Sequence, residues 1–209
     1  MEVVRRAFDA KFETREDENG IVTGRPVVLN SLTDLGWFDE VIDSGALRNT
    51  DLSDVRLCLN HDTSFVYARS RRNNASSTMQ ISVDEIGLTF SASLDIEGSP
   101  KAQDFYAAIK RGDMDKMSFM FTIDGYEWEN LESDHPTRHI TSIGSIFEIS
   151  AVTFPAYDTT SIEARDAETL ESVKRDLERA RAELRKTMDI DAEVELLKAK
   201  YEYIRRKNK

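Results

Sequence analysis

The sequence contains very few cysteines, histidines and prolines. Among its 209 residues there are one cysteine, three histidines and four prolines. Because Cys58 is the single thiol, an intramolecular disulfide and a multi-cysteine zinc or iron–sulfur site are both excluded. No apolar run approaches the ~20 residues that span a bilayer, and no apolar segment typical of a secretory signal follows the first residues. These absences predict a soluble protein of a reducing compartment with no membrane partner.

Positive charge is also scarce relative to negative charge. The chain has 28 Lys+Arg against 39 Asp+Glu, a formal net charge of -11. Such a chain repels polyanions, so nucleic acid is not expected among its partners. The imbalance lies in residues 1–165, which carry 16 basic and 28 acidic residues, whereas residues 166–209 carry 12 and 11. We therefore divide the chain into a body, residues 1–165, and a tail, residues 166–209.

The tail lacks glycine and proline, because all nine glycines and all four prolines precede residue 166. Apolar residues recur there three and four positions apart: Leu170, Val173, Leu177, Ala180 and Leu184. This spacing predicts one long helix, or two with a bend near Asp189, and is typical of a coiled-coil-like segment. The apolar stripe either packs on the body of the same chain or mediates self-association or docking to a partner helix.

The body shows the alternation of apolar and polar side chains that is typical of half-buried strands. The segments with this pattern are residues 55–60, 88–94, 117–123 and 145–152, with shorter ones at 126–128 and 138–140 on either side of a polar loop. An apolar stripe between Pro100 and Gly112 predicts a helix, and the run 37–42 predicts a shorter one. Together these elements predict an α+β fold: a small, mostly antiparallel β-barrel with surrounding helices, followed by the long C-terminal helix.

Three polar residues occupy unusual positions in these strands. His61 follows the strand 55–60, where a side chain can reach a substrate and act as a base near neutral pH. Ser118 faces away from the apolar residues of its strand. Glu148 interrupts an apolar strand, so it either faces solvent or is buried with a partner. Taken singly, His61 and Ser118 are more typical of ordinary surface positions than of a catalytic site.

Other catalytic and metal-binding arrangements find little support. The chain has no Gly-x-Ser-x-Gly motif of the kind that carries the nucleophile of α/β-hydrolases. His135 and His139 are four residues apart, but Pro136 between them argues against a helical pair of metal ligands. Cys58 precedes His61 by three residues on a strand, which is a poor geometry for a cysteine–histidine pair. Neither a metal nor a cofactor is expected.

Five segments of the body occur in an order that resembles a known family. They are Asp43-Ser44-Gly45-Ala46-Leu47, Leu57-Cys58-Leu59-Asn60-His61-Asp62, Asp84-Glu85-Ile86-Gly87-Leu88, the stretch 106–112 leading into Met117-Ser118-Phe119-Met120-Phe121, and Phe147-Glu148-Ile149-Ser150-Ala151-Val152-Thr153-Phe154-Pro155-Ala156-Tyr157. In this order the chain resembles the tailed-phage prohead (capsid maturation) proteases, which are similar in fold to the herpesvirus assemblins.

The resemblance implies a serine endopeptidase without a cofactor. His61 matches the family's general base, Ser118 its nucleophile, and Glu148 the acidic residue that orients the base. Such a triad requires the Ser118 hydroxyl within hydrogen-bonding reach of His61, with Glu148 on the other side of the imidazole. His139 is the alternative to Glu148 as the third member of the triad. Met120 stands where the family usually has glycine, which changes the floor of the cleft rather than the catalytic roles.

The resemblance also implies where and on what the protein acts. Its substrates would be scaffold segments and capsid-protein extensions, together with the protein itself, inside the immature capsid (prohead) in the host cytoplasm. The tail would bind scaffold or mediate self-association. The alternative is a non-enzymatic capsid-assembly or scaffold protein that acts through its C-terminal helix. The presence of histidine, serine and glutamate at the three expected positions favours the protease.

Overall fold

A computed structural model describes residues 2–8, 12–14, 19–153 and 164–207. The strands within these ranges are β1 (Glu2–Phe8), β2 (Phe12–Thr14), β3 (Ile21–Val28), β4 (Leu32–Asp34), β5 (Asp39–Ile42), β6 (Val55–Leu59), β7 (Ala68–Ser70), β8 (Met79–Val83), β9 (Gly87–Ser93), β10 (Lys116–Glu129) and β11 (Thr137–Val152). The helices are α1 (Pro100–Arg111) and α2 (Ala164–Lys207). The strands predicted around residues 55–60, 88–94, 117–123 and 145–152 are confirmed.

The larger sheet is organised by the long hairpin of β10 and β11. It has seven strands in the order β1-β10-β11-β5-β4, while β6 joins β11 and β7 joins β6. Both β5 and β6 pair with β11 in parallel, β5 opposite residues 137–140 and β6 opposite residues 148–151. The β11 strand therefore has two neighbours along one edge, and its C-terminal half lies beside the strand that leads to His61.

The smaller sheet has four strands in the order β2-β3-β9-β8. Residues from both sheets and from α1 share one apolar core, for example Phe90, Phe105 and Phe119. The protein is therefore a mixed α+β structure. Among the described strands, β1 and β4 end the path of the larger sheet without pairing to each other, so a closed barrel is not confirmed. At β11 the sheet splits into two branches, because β5 and β6 each pair with a different part of that strand.

Helix α1 begins and ends where the sequence predicted. The Ser99 side chain accepts a hydrogen bond from the backbone N–H of Ala102, Pro100 stands in the first turn, and Gly112 ends the helix with a φ of 77°. The buried face of α1 includes Phe105, whose ring lies 6.0 Å from that of Phe12 in β2. This contact fixes α1 against the smaller sheet.

The short helix predicted at residues 37–42 is wrong. Its last four residues form β5, which pairs with β4 on one side and with β11 on the other. An apolar run this short fits either a buried strand or a helix turn. Hydrogen bonds to two neighbouring strands satisfy the backbone here, and they decide in favour of the strand.

The described part of the tail lies in one helix, α2, which has 44 residues and no hairpin near Asp189. Its first half packs on the body: Val173 and Leu177 are buried. Val173 joins Leu35, Phe38, Trp37 and Trp128 in a second, smaller apolar group, here called the tail cluster. Arg181 donates to the backbone carbonyl of Leu131 at 2.8 Å. From residue 185 to residue 203 every residue is exposed.

The interpretation that the apolar stripe of the tail packs on the body of the same chain is therefore confirmed for residues 173–181. Self-association through the tail stays a prediction. The side chain of Leu170 and the stretch 158–161 before the helix lie outside the described residues. Neither described helix combines the length and the apolar composition needed to cross a membrane.

A buried ionic group ties three strands of the larger sheet together. Glu40 in β5 accepts hydrogen bonds from Arg6 in β1, with Nη2–Oε2 at 3.0 Å, and from Arg138 in β11, with Nε–Oε2 at 3.0 Å. All three side chains are buried. The Arg138 guanidinium also lies 5.2 Å from the centre of the Tyr126 ring.

Removal of the tail is expected to weaken the tail cluster rather than the main core. A protein ending at residue 165 should lose about 3–6 kcal/mol of unfolding free energy, because it loses the buried Val173 and Leu177, and each such side chain contributes about 1.5–3 kcal/mol. Urea denaturation followed by tryptophan fluorescence would measure this loss, with a red-shifted emission as Trp37 and Trp128 meet water. A protein ending at residue 186 keeps Val173 and Leu177 and is the control. Equal stability of the two shortened proteins would contradict the prediction.

Candidate active site

His61 lies in a tight turn at the end of β6. Asn60 and His61 both have left-handed backbone conformations, with φ of 50° and 60°, and the backbone N–H of Asp62 donates to the carbonyl of Leu59 at 2.9 Å. A left-handed backbone conformation is energetically unfavourable for residues other than glycine, and here two consecutive residues adopt it. The turn is held by Asn60, whose side chain accepts a hydrogen bond from the backbone N–H of Thr153 at 2.9 Å. It therefore places the imidazole over the end of β11.

The His61 ring is bonded to a buried carboxylate. Its Nδ1 contacts Glu148 Oε1 in a short hydrogen bond, and the Glu148 side chain is 1 % exposed. Because a carboxylate can only accept a hydrogen bond, Nδ1 carries the proton in this pair and Nε2 keeps its lone pair. The sequence left open whether Glu148 faces solvent or is buried with a partner, and the structure decides for the second.

Ser150 connects the two members of this pair. Its hydroxyl donates to Glu148 Oε2 at 2.5 Å and accepts from the backbone N–H of His61 at 3.1 Å. Glu148 and Ser150 are two residues apart on β11, so their side chains share one face of the sheet. Sequence reasoning did not single out Ser150, although this spacing was the available signal.

Ser118 is the neighbour of Ser150 on the next strand. The antiparallel register pairs Ser118 in β10 with Ser150 in β11. Directly paired residues lie on the same face with Cβ atoms about 4.5–5.5 Å apart. Ser118 is buried, and its hydroxyl donates to the backbone carbonyl of Arg6 in β1 at 3.0 Å. The hydroxyl thus lies one strand from the His61–Glu148 pair, and it bonds to the Arg6 carbonyl of β1 rather than to the imidazole, the partner that the resemblance implies.

Cys58 lies on the other side of Ser150, in the parallel register of β6 with β11. Burial, followed by the negative charge of Glu148, raises the pKa of the Cys58 thiol to about 12. The thiol is therefore protonated near neutral pH, and a protonated thiol is a poor nucleophile. This agrees with the poor geometry for a cysteine–histidine pair that the sequence indicated.

The other two histidines lie elsewhere. His139 is opposite Val41 near the start of β11, about 30 Å along the strand from Glu148 at ~3.3 Å per residue. Its ring lies between Asp43, at 2.9 Å, and Glu129, at 3.0 Å. The hydrogen bond to Asp43 raises the pKa of His139 against the opposing effect of burial. The structure therefore does not bring His139 to His61 as a third member.

His135 forms the one group within the described ranges that has the composition of a metal site. Its ring nitrogen and one oxygen each of Asp34 and Asp39 lie within 4.8 Å of one another. Asp34 is exposed, and exposed acidic groups of this kind are common without a metal. No role is assigned to this group.

One comparison with known proteins bears on nearly all of the body. A family model described as Peptidase_S78, caudovirus prohead serine protease, matches residues 8–176. No curated protein and no solved structure matches the chain. The match covers the turn with His61 and the strands with Ser118 and Glu148. It continues into α2 to residue 176, past Val173 of the tail cluster.

Proposed function

The chain belongs to the caudovirus prohead serine protease family, and from this premise we propose that it is a serine endopeptidase acting through Ser118, His61 and Glu148. Its proposed substrates are scaffold segments and capsid-protein extensions within the immature capsid in the host cytoplasm, and the protein itself. The observation that carries the proposal is the His61–Glu148 pair, which lies one strand from a buried serine.

The arrangement supports acyl transfer by a familiar division of roles. Glu148 fixes the imidazole of His61 with its proton on Nδ1, so Nε2 accepts the proton of the Ser118 hydroxyl as Oγ attacks the peptide carbonyl. The resulting imidazolium is stabilised by the Glu148 carboxylate. It then protonates the leaving amine, and water deprotonated by the same imidazole hydrolyses the acyl-enzyme.

The Ser118 hydroxyl must turn before it can react. It now donates to the Arg6 carbonyl, and a change between staggered χ1 positions redirects Oγ without moving the backbone. Catalytic hydrogen bonds are often long or misaligned without substrate and tighten in the complex. The bond to β1 is therefore compatible with a resting state of the enzyme.

Ser150 is proposed to fix the position of the Glu148 carboxylate relative to the turn that carries His61, because its hydroxyl bonds to both. The Ser150→Ala variant should lower kcat about tenfold to hundredfold with little change in KM, because a hydrogen bond to a charged group contributes about 1.5–3 kcal/mol. The Ser150→Thr variant keeps a hydroxyl and should recover most of the loss. Thermal unfolding of both variants separates this effect from general destabilisation. A Ser150→Ala variant with normal kcat would contradict the proposed role.

The substrate assignment is tested by coexpression. The protein is produced together with the capsid and scaffold proteins of the same phage, and intact masses are measured over time. Shortened capsid and scaffold chains, and a shortened protease, are the expected products. If all three chains keep their full masses while a generic peptide is cleaved, the enzyme is a protease with different substrates.

The exposed half of α2 supports a second, compatible role. Residues 185–203 are all exposed and include large apolar side chains such as Ile190, Leu197 and Tyr201. This segment is proposed to recruit the protein to scaffold or to a second copy. In the alternative function, a non-enzymatic scaffold protein, it would be the sole working part. A protein ending at residue 186 would then lose all function, whereas a protease would keep peptide cleavage.

A further inference from the structure

A pocket of about 390 Å³ adjoins the turn that carries His61. Leu59 and Asp62, the two ends of that turn, line one side of it, and α1 lines the other. Met114, four residues before Ser118 on the same chain, also borders the pocket. The segments that present the proposed base and the proposed nucleophile therefore both reach its wall.

Electrostatic effects on Cys58 support this proximity. Burial, then Glu148 and, less strongly, Asp62 raise the pKa of the Cys58 thiol. Glu148 belongs to the candidate active site and Asp62 to the pocket, so one buried thiol lies within the field of both carboxylates. Leu59 in the pocket wall follows Cys58, which pairs with Ser150 beside Glu148, so the pocket borders the strands that hold the candidate site.

The floor of the pocket is aromatic. The ring of Tyr67 lies 4.8 Å from that of Phe65 and 4.2 Å from that of Phe105, measured between ring centres. The ammonium group of Lys101 lies 4.7 Å from the centre of the Phe65 ring. The floor thus already accepts one cation on an aromatic face, which is a favourable contact for ammonium and guanidinium groups.

The rim of the pocket carries more negative than positive charge. Two carboxylates, Asp62 and Asp104, stand against the single ammonium of Lys101. Hydrogen bonds from Ser64 lower the pKa of Asp62, which keeps it ionised. Burial, and then Asp62, Cys58 and Asp104, raise the pKa of Tyr67, so the fields of both carboxylates extend to the floor.

We propose that this pocket is a substrate subsite that selects an arginine or lysine side chain near the scissile bond. The apolar stem of such a side chain lies along the aromatic floor, and its cationic end reaches the rim carboxylates. An acidic side chain is repelled. This inference rests on the proposed protease function, so its test includes one measurement that requires no catalysis.

The first measurement is an NMR titration of the full chain with single-residue probes. N-acetylarginine amide should shift the ring signals of Phe65 and Tyr67, N-acetylnorleucine amide should shift them less, and N-acetylglutamate amide should leave them in place. The Asp104→Lys variant should lose the response to the arginine probe. The Glu85→Lys variant is the control, because it makes the same charge change at an exposed position outside the pocket.

The second measurement is cleavage of an unbiased peptide mixture, with products identified by mass spectrometry. Basic residues should be enriched at one position near the cut. Asp104→Lys should lower kcat/KM for the basic over the norleucine peptide about fivefold, since reversing one exposed charge replaces a weak attraction with a weak repulsion. Cleavage without a basic preference, together with no response to the arginine probe, overturns the subsite and leaves the protease function intact. Absence of cleavage with a retained response to the probe overturns the protease function and leaves the binding site.

Discussion

The Ser118→Ala and His61→Ala variants are each expected to lose peptide-bond cleavage, with kcat lowered about 10⁴- to 10⁶-fold. A serine hydroxyl is a weak nucleophile without an adjacent base, and the base is ineffective without the hydroxyl. Because the members act as a unit, the double variant should be little worse than either single one. Cleavage of a peptide substrate and the change in the protein's own mass over several days would measure the loss.

A matched control for this experiment is Cys58→Ala, which removes the other potential nucleophile next to Ser150. The thiol is buried and protonated, so this variant should keep near-normal kcat. Circular dichroism confirms that each variant is folded. Retained cleavage in Ser118→Ala with loss in Cys58→Ala would show that the nucleophile is misassigned.

The second large effect is expected at Glu40. The Glu40→Ala variant should lose about 3–5 kcal/mol of unfolding free energy, because it removes the carboxylate that neutralises two buried guanidinium groups. Glu132, exposed in the loop between β10 and β11, offers the control variant Glu132→Ala. Urea denaturation at neutral pH measures both, and a Glu40→Ala loss as small as the control's would contradict the prediction.

The same carboxylate should make stability depend on pH. Burial alone would raise the pKa of Glu40, but the charges of Arg6 and Arg138 outweigh it, and the net pKa is below the ordinary value of 4.5. A lowered pKa in the folded state means that Glu40 contributes stability above about pH 4.5 and that this contribution is lost as the pH falls through the folded-state pKa. Glu40→Gln should therefore unfold with a weaker pH dependence in this acidic range.

Much of the fold could be predicted from local patterns because these strands are amphipathic. The alternation in β6 and β10 has one apolar face, and the caps of α1 are local features. The error at residues 37–42 has a physical cause: a four-residue buried strand carries no periodicity that distinguishes it from a helix turn. What makes this segment a strand is its pairing with β4 and β11, and β11 lies about a hundred residues further along the chain.

Of the two contacts expected within the candidate site, the structure contains the one between Glu148 and the imidazole of His61, whereas the Ser118 hydroxyl bonds to the Arg6 carbonyl instead of the imidazole. His61, Ser118 and Glu148 stood out as polar residues at strand positions, and the family resemblance assigned their roles. The link through Ser150 and the bond from Ser118 to the Arg6 carbonyl depend on the register of β10 against β11 and β1. Register is set by the packing of whole strands, so it is not encoded around any one of these residues.

The late position of the β10–β11 hairpin in the chain has a consequence for synthesis. β1 pairs with β10, and β5 and β6 pair with β11, across separations of about a hundred residues. Contacts of this range close slowly. At roughly 5–20 residues per second, Glu148 leaves the ribosome on the order of ten seconds after His61. If His61 and Glu148 act as proposed, the histidine has no carboxylate to orient it during that interval, and we expect no proteolysis by a nascent chain until the hairpin is complete.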